Sequence, residues 1–197
     1  MNLVLASASA SRRRVLAAAG VPYVAMPADV DEDALKAELL TAGVDPAAVA
    51  PALAEAKAVA VSRRNAGTLV LGGDQTLLLD RELIGKCTGL AEARALLRRL
   101  RGRAHRLVSA LALARDGAVI WRHVESPTLA MRDFSDAFLD RYLAAEGEGV
   151  LSGVGCYKLE GPGAQLFERV EGDYFAVLGL PLLPLLAELR RHGVIAT

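Results

Sequence analysis

The 197-residue chain has little of most side chains that announce a chemistry. Its two cysteines, Cys87 and Cys156, are far apart and outside any CxxC pairing. That suits a reduced compartment and excludes a disulfide scaffold or a cysteine-based metal pattern. His105, His123 and His192 are scattered with no HxxxH spacing. No serine sits in a GxSxG elbow, and there is neither a Walker loop nor a GxGxxG after a strand, which excludes P-loop and Rossmann nucleotide binding. Net charge is absent: 23 Lys plus Arg balance 23 Asp plus Glu. A neutral chain gives no global reason for binding nucleic acid or a membrane surface. The longest apolar candidate, Val177 to Leu189, is broken by Pro181 and Pro184 and runs into Glu188 and Arg190, short of a membrane span. Met1 to Leu5 is too short for the apolar core of a signal peptide. The expectation is a soluble, cytoplasmic protein with neither nucleic-acid nor membrane partners.

What is present is a globular composition, 53% hydrophobic and 23% charged, in a chain long enough for a substantial core. Asn2 to Ala6 reads as a short buried strand and Arg12 to Ala19 as a helix closed by Gly20. The segment VPYVAMPADVDED crosses to an acidic helix start with Asp31 or Asp33 as its cap. Pro46 to Arg64 is helical, with a restart at Pro51. TLVLGGDQTLLLD reads as strand, Gly-Gly break, strand, and LAEARALLRRLRG as a helix stopping at Gly102. RLVSALALA and AVIWRHVESPTLAMR are long strands joined at Asp116-Gly117, a hairpin turn signal. A helix capped by Ser135, a glycine-rich stretch, the strand AQLFERV and the helix LPLLPLLAELRRHG complete the chain. With no linker, low-complexity segment or repeat, residues 1–197 read as a single α/β domain, its central mixed sheet flanked by helices.

Four places could carry chemistry. In LVLASASASRRRVLAAAG, cations crowd a helix N-terminus, the end that already carries partial positive charge. Ser7, Ser9 and Ser11 with Arg12 and Arg13 could wrap a phosphate chain there, the alternative being a solvated basic turn. Asp74 in GGDQT could activate water or hold a divalent cation, or simply satisfy backbone amides in a turn. Lys57 and Lys86 stand out because only four lysines accompany nineteen arginines. A compact ammonium suits phosphate oxygens, although a snorkelling side chain explains Lys57 equally. Finally, in GVGCYKLEGPGAQLFERVEGDYF, Lys158 and Glu160 would share one face of an extended segment, or belong to a purely structural loop.

Taken together, these segments resemble the Maf family of nucleoside triphosphate pyrophosphatases. That family's opening signature usually reads LASxSPRRxxLL, where this chain has LASASASRRRVL. Ser7, Ser9 and Arg12 match, while Ala10 replaces the proline and Ser11 the first arginine. EAKA matches at Lys57, GGDQT at Asp74 and IGK at Lys86. RLRGRAHRLVSALAL resembles the family's long hairpin, and GVGCYKLEGPGAQLFERVEGDYFAVLGLPL its closing signature. The resemblance spans almost the whole chain in the correct order.

It implies a Maf/ITPase-like fold and hydrolysis of a nucleoside triphosphate to the monophosphate and pyrophosphate. Asp74 would be the base or water-orienting group. Ser7, Ser9, Arg12, Arg13, Lys57 and Lys86 would hold the phosphates, with a divalent cation, magnesium or manganese, whose candidate ligands are Glu32 and Asp74. Base preference follows three discriminating positions, here Ser11, Gln75 and Glu160. The family's dTTP and UTP branch carries arginine, threonine and glutamine there, and its 7-methyl-GTP branch tryptophan, glutamine and glutamate. Gln75, Glu160, Val30 to Glu32 and Lys158 favour the latter; Ser11 fits neither branch, and EGDYF is more like the former. The family is also linked with arrest of septum formation, so a nucleotide-binding regulator without turnover is the alternative. A homodimer is the family-level expectation.

Overall fold

The computed structural model describes residues 3–197. In chain order the elements are β1 (Leu3–Leu5), α1 (Ala10–Ala18), β2 (Tyr23–Ala25), α2 (Glu32–Thr41), α3 (Val49–Ser62), β3 (Leu69–Leu79), β4 (Glu82–Ile84) and α4 (Leu90–Leu100). They continue with β5 (Ala104–Arg115), β6 (Ala118–Glu125), β7 (Thr128–Met131), α5 (Asp136–Glu146), β8 (Phe167–Glu171), α6 (Tyr174–Val177) and α7 (Leu182–Arg191). Among the described residues this is an α/β fold with an open mixed sheet of eight strands and seven α-helices, in line with the sequence. No helix there is long and apolar enough to cross a membrane. The chain forms two compact units, and β3 and β5 each contribute residues to both.

The first unit comprises the N-terminal stretch through Gln75, Val108–Glu125 and Asp173–Thr197. β1 lies between β2 and β3 and is parallel to both, with Leu3 opposite Tyr23 on one side and Leu69 on the other. Parallel strands are covered on both faces, which explains the unbroken apolar runs LVL at 3–5 and 69–71. Leu3, Leu5, Leu69 and Leu71 pack with Leu16 of α1, Leu111 and Leu113 of β5, and Leu185 and Leu189 of α7. β5 and β6 form the expected hairpin, and both Asp116 and Gly117 take positive φ at its turn.

Several boundaries differ from expectation. β1 covers Leu3–Leu5, and Asn2 lies outside the described residues. α1 starts at Ala10, because Ser9 caps it by accepting from the Arg12 amide; the arginines therefore lie inside the helix from its third residue. Asp31, the first of the two candidate caps, accepts from the Ala34 amide. Pro51 does not restart a helix. A 3₁₀ turn, Pro46–Ala48, precedes α3, and Pro51 falls in its first turn, where a missing N–H costs nothing. The Gly-Gly break is also wrong, since β3 runs uninterrupted through Gly72 and Gly73. The glycines answer to packing: a Cβ on Gly72 would collide with the Ala54 carbonyl oxygen and stand 2.7 Å from the Ala58 nitrogen. Gly72 lets α3 lie directly on the strand, and Gly73 faces Arg12 and Leu111. β2 was read only as a crossing segment, and α6 was not anticipated.

The second unit comprises Thr76–Leu107 and Ser126–Gly172. Here the end of β3 pairs antiparallel with β4, and the start of β5 pairs with β7, which pairs with β8. The expected strand AVIWRHVESPTLAMR divides into β6 and β7 at Ser126-Pro127, where proline cannot donate to a ladder. AQLFERV likewise begins as a 3₁₀ turn, Pro162–Leu166, before β8. Ser135 caps α5 through the Phe138 amide, as expected. Arg94 of α4 pairs with Asp140 of α5 at 2.8 Å, and Arg101 with Asp136 at 2.9 Å. Among exposed groups such pairs add little stability.

Candidate active site

The loop from β1 to α1 supplies the first side chains. Ser7 Oγ accepts from the Ser9 amide at 3.2 Å and from Arg12 Nη1 at 3.1 Å. Arg12 is buried, and its Nε donates to the Gly179 carbonyl at 2.8 Å. Carbonyl and hydroxyl oxygens thus offset the unfavourable placement of a cation in the first turn of a helix. Burial pulls the Arg12 pKa below its ordinary value, and Asp74 and Glu32 oppose that shift by charge attraction. Arg13 turns outward, and its guanidinium donates to the Ala8 carbonyl.

Gly73 is what leaves room for this arrangement. A Cβ there would stand 3.1 Å from both Arg12 Nε and Leu111 Cδ2. Asp74 follows on β3, buried at 7% exposure, and its Oδ1 accepts from Lys57 Nζ at 2.6 Å. Lys57 comes from α3, which Gly72 admits close to β3, so Gly72 and the ion pair are one structural device, while Gly73 makes room for Arg12. The Lys57 ammonium also reaches Glu32 Oε1, at the start of α2, at 2.8 Å. The snorkelling alternative for Lys57 is thereby set aside: it is a buried cation between two carboxylates.

Ser11 and Gln75 face the segment after α6. Ser11 Oγ donates to the Leu178 carbonyl at 3.0 Å. Gln75 Nε2 donates to Ser109 Oγ at 2.7 Å and to the carbonyls of Ala176 and Val177 at 3.0 and 3.1 Å. The first unit therefore brings together Ser7, Ser9, Ser11, Arg12, Glu32, Lys57, Asp74 and Gln75 through α1, α2, α3 and β3. Sequence reasoning missed Ser109 and the carbonyls of residues 176–179. A signal was available, because Ser109 is the one polar residue inside the apolar run LVSALALA.

Lys86, Lys158 and Glu160 belong to the second unit. Lys86 is exposed in the segment after β4. Lys158 is half-buried, 3.9 Å from Glu146 Oε2. The expectation that Lys158 and Glu160 share a face of an extended segment fails: the chain turns there, with the Gly161 amide donating to the Lys158 carbonyl at 3.3 Å. Gly163 lies so close to that carbonyl that a Cβ would come within 2.6 Å of it, which fixes the turn.

The donor chemistry fits magnesium or manganese only in part. Glu32 and Asp74 offer hard carboxylate oxygens of the kind such cations take, although the two meet at the Lys57 ammonium. Yet among the described residues no group of three or more His, Cys, Asp or Glu side chains could hold a metal. Two carboxylates suit a cation that arrives with phosphate oxygens and keeps several waters. The charges agree, since Arg12 and Lys57 cancel Asp74 and Glu32, leaving the negative charge of a phosphate chain to be offset.

The profile of the family described as Maf-like protein matches residues 2–192. A nucleoside triphosphate pyrophosphatase of Granulibacter bethesdensis is 52% identical over 192 residues, covering 98% of each chain. A 7-methyl-GTP pyrophosphatase of Brucella abortus is 49% identical over 195 residues, 99% of this chain and 98% of its own. Another 7-methyl-GTP pyrophosphatase, from Mesorhizobium japonicum, is 52% identical over 194 residues, 98% of each. The chain belongs to the Maf family.

Proposed function

We propose that this Maf-family chain, working as one domain, hydrolyses nucleoside triphosphates to the monophosphate and pyrophosphate, with 7-methyl-GTP as the preferred substrate. The observation that carries the reading is the buried cluster of Asp74, Lys57 and Arg12, with part-exposed Glu32 on the same lysine, beside the capped start of α1. Similarity over nearly the full length to relatives bearing both names supports it.

Water must attack an α-phosphorus already surrounded by negative oxygens, so the site has to neutralise charge, position the water and take its proton. Asp74 is the carboxylate that orients the water and accepts that proton. Lys57 holds Asp74 in place through its 2.6 Å contact and adds positive charge where the phosphates come in. Arg12, kept in position by Ser7 and the Gly179 carbonyl, presents a cation that stabilises the charge growing on departing pyrophosphate. Ser7 and Ser9 complete the phosphate contacts in the first unit, and the family resemblance assigns the same role to Arg13 and to Lys86. Glu32 and Asp74 would hold magnesium or manganese, which supplies charge neutralisation at the phosphate oxygens when bound.

The family resemblance assigns base preference to Gln75 in the first unit and to Glu160 and Lys158 in the second. A carboxylate at Glu160 accepts from the N1–H and amino edge of guanine, which glutamine does less well. The test is a panel of common NTPs, dNTPs and 7-methyl-GTP with magnesium or manganese, scoring pyrophosphate and orthophosphate separately. Pyrophosphate with 7-methyl-GTP leading is the expected outcome. A lead for dTTP and UTP would overturn the base preference alone. Nucleotide binding without pyrophosphate would point to a regulator of the kind linked with septum formation. Size-exclusion with light scattering checks the proposed homodimer.

A further inference from the structure

Four consecutive backbone carbonyls at the end of α6 are captured by side chains. Ala176 accepts from Ser109 Oγ at 2.6 Å and from Gln75 Nε2 at 3.0 Å, and Val177 from Gln75 Nε2 at 3.1 Å. Leu178 accepts from Ser11 Oγ at 3.0 Å, and Gly179 from Arg12 Nε at 2.8 Å. Carbonyls at a helix end lack the i+4 amides of a continuing helix; here Ala176 also accepts from the Gly179 amide at 3.0 Å. Three of the four donors, Ser11, Arg12 and Gln75, were singled out for the site. The fourth, Ser109, is fully buried in β5.

The chemistry of these bonds fixes the orientation of Gln75. Backbone carbonyls only accept, so the side of the amide facing Ala176 and Val177 must be its NH₂ group. Ser109 has one hydroxyl hydrogen, which it gives to Ala176, and its lone pair receives the Gln75 amide. The two hydrogens on Nε2 are therefore committed among three acceptors, one of them shared, and Oε1 is left as the hydrogen-bonding atom that Gln75 can offer a ligand. A Cβ placed on Gly179 would lie 3.6 Å from Gln75 Oε1 and 3.7 Å from Arg12 Nη2, so both groups border that glycine. Its φ of +85° is one that a side chain rarely adopts.

We propose that Ser109 is a positioning residue for nucleotide discrimination, acting through Gln75. By accepting from the Gln75 amide while donating to the Ala176 carbonyl, it helps hold Oε1 as an acceptor in one place, so the site favours the base whose donor lies where Oε1 is held. This rests on the nucleotide-hydrolysing reading of the same site. Removing the Ser109 hydroxyl takes away one of the three acceptors around Gln75 Nε2 and leaves the amide held by the Ala176 and Val177 carbonyls alone, so Oε1 is fixed less firmly and the preference blurs, while Asp74, Lys57 and Arg12 are untouched.

The test measures equilibrium binding of α,β-methylene analogues of GTP and UTP by calorimetry, with magnesium, alongside pyrophosphate release from the natural nucleotides. The proteins are wild type, Ser109→Ala, Gln75→Ala and the double variant. Loss of one neutral hydrogen bond corresponds to about a three- to tenfold effect, so Ser109→Ala should move the ratio of the two dissociation constants by about that factor. The shift should vanish in the Gln75→Ala background, which a general loosening of the fold would not produce. Ser109→Cys, of similar shape but with a weak donor, should shift the ratio in the same direction by less, and it serves if Ser109→Ala fails to fold. An unchanged ratio in Ser109→Ala, a shift that persists without Gln75, or equal wild-type affinity for both analogues overturns the proposal. Wild-type binding without pyrophosphate release sinks the hydrolytic reading, while the binding ratios still decide the role of Ser109. Absence of binding to either analogue overturns both.

Discussion

The Lys57 ammonium stands 2.6 Å from the Asp74 carboxylate, with both side chains buried and Glu32 Oε1 on the same nitrogen at 2.8 Å. A buried ion pair is weak evidence for stability, because desolvation consumes most of its attraction. Its persistence at the meeting of β3, α3 and α2 is better explained by use, with the lysine placing one carboxylate for reaction and keeping a cation beside it.

If Asp74 takes the proton of the attacking water, Asp74→Asn keeps the side-chain shape and removes the base. Turnover should fall at least about 100-fold, the usual contribution of a positioned general base. The measurement is steady-state pyrophosphate release beside a thermal melt. Retained turnover in a folded variant would end the assignment.

Lys57→Met removes the cation and leaves Asp74 buried without its partner. Breaking a buried pair from one side costs about 3–5 kcal/mol, so the urea midpoint should drop accordingly at neutral pH. Lys57→Met combined with Asp74→Asn should be more stable than Lys57→Met alone, since no buried lone charge remains and the carboxylate left without its lysine, Glu32, is part-exposed. Additive losses would show that the two residues do not act as a pair.

Much of this was legible in the sequence, and the exceptions share a cause. Short-range chemistry read well: Asp116-Gly117 makes the hairpin turn, Ser135 caps α5, and parallel strands appear as apolar runs. Glycine was misread where its meaning is tertiary. Gly72 and Gly73 look like a break along the chain, but they serve contacts to Ala54, Ala58 and Arg12 that the local sequence does not display. Ser109 was overlooked for the same reason, since its partners are 34 and 67 residues away.

Gly72→Ala puts that account to the test. The new methyl group would meet the Ala54 carbonyl and the Ala58 nitrogen, both rigid backbone. A loss of about 3 kcal/mol in unfolding free energy is expected, at the upper end for overpacking. Gly102→Ala, with open space around it but φ of +66°, should cost less. Equal losses by denaturant titration would remove packing as the reason for Gly72.

His105 gives the second unit a pH dependence. It is buried with Nε2 2.7 Å from the Tyr157 hydroxyl, and burial pushes its pKa from 6.5 down to about 4. The folded state thus favours the neutral ring. The associated stability is fully present above pH 6.5 and is lost as pH falls toward 4, on the order of 3 kcal/mol. In urea titrations, wild type should lose that stability between pH 6.5 and 4, and His105→Gln should not show this component. Parallel pH profiles for the two proteins would contradict it.

The central claim concerns which phosphorus is attacked, and oxygen labelling addresses it most directly. The protein is incubated with magnesium and 7-methyl-GTP in ¹⁸O-water, and the products are separated by mass. Attack on the α-phosphorus should place one ¹⁸O in the nucleoside monophosphate and leave pyrophosphate unlabelled. EDTA should stop the reaction, and added manganese should restore it. Label in pyrophosphate or orthophosphate, or no turnover of any nucleotide, would contradict the account.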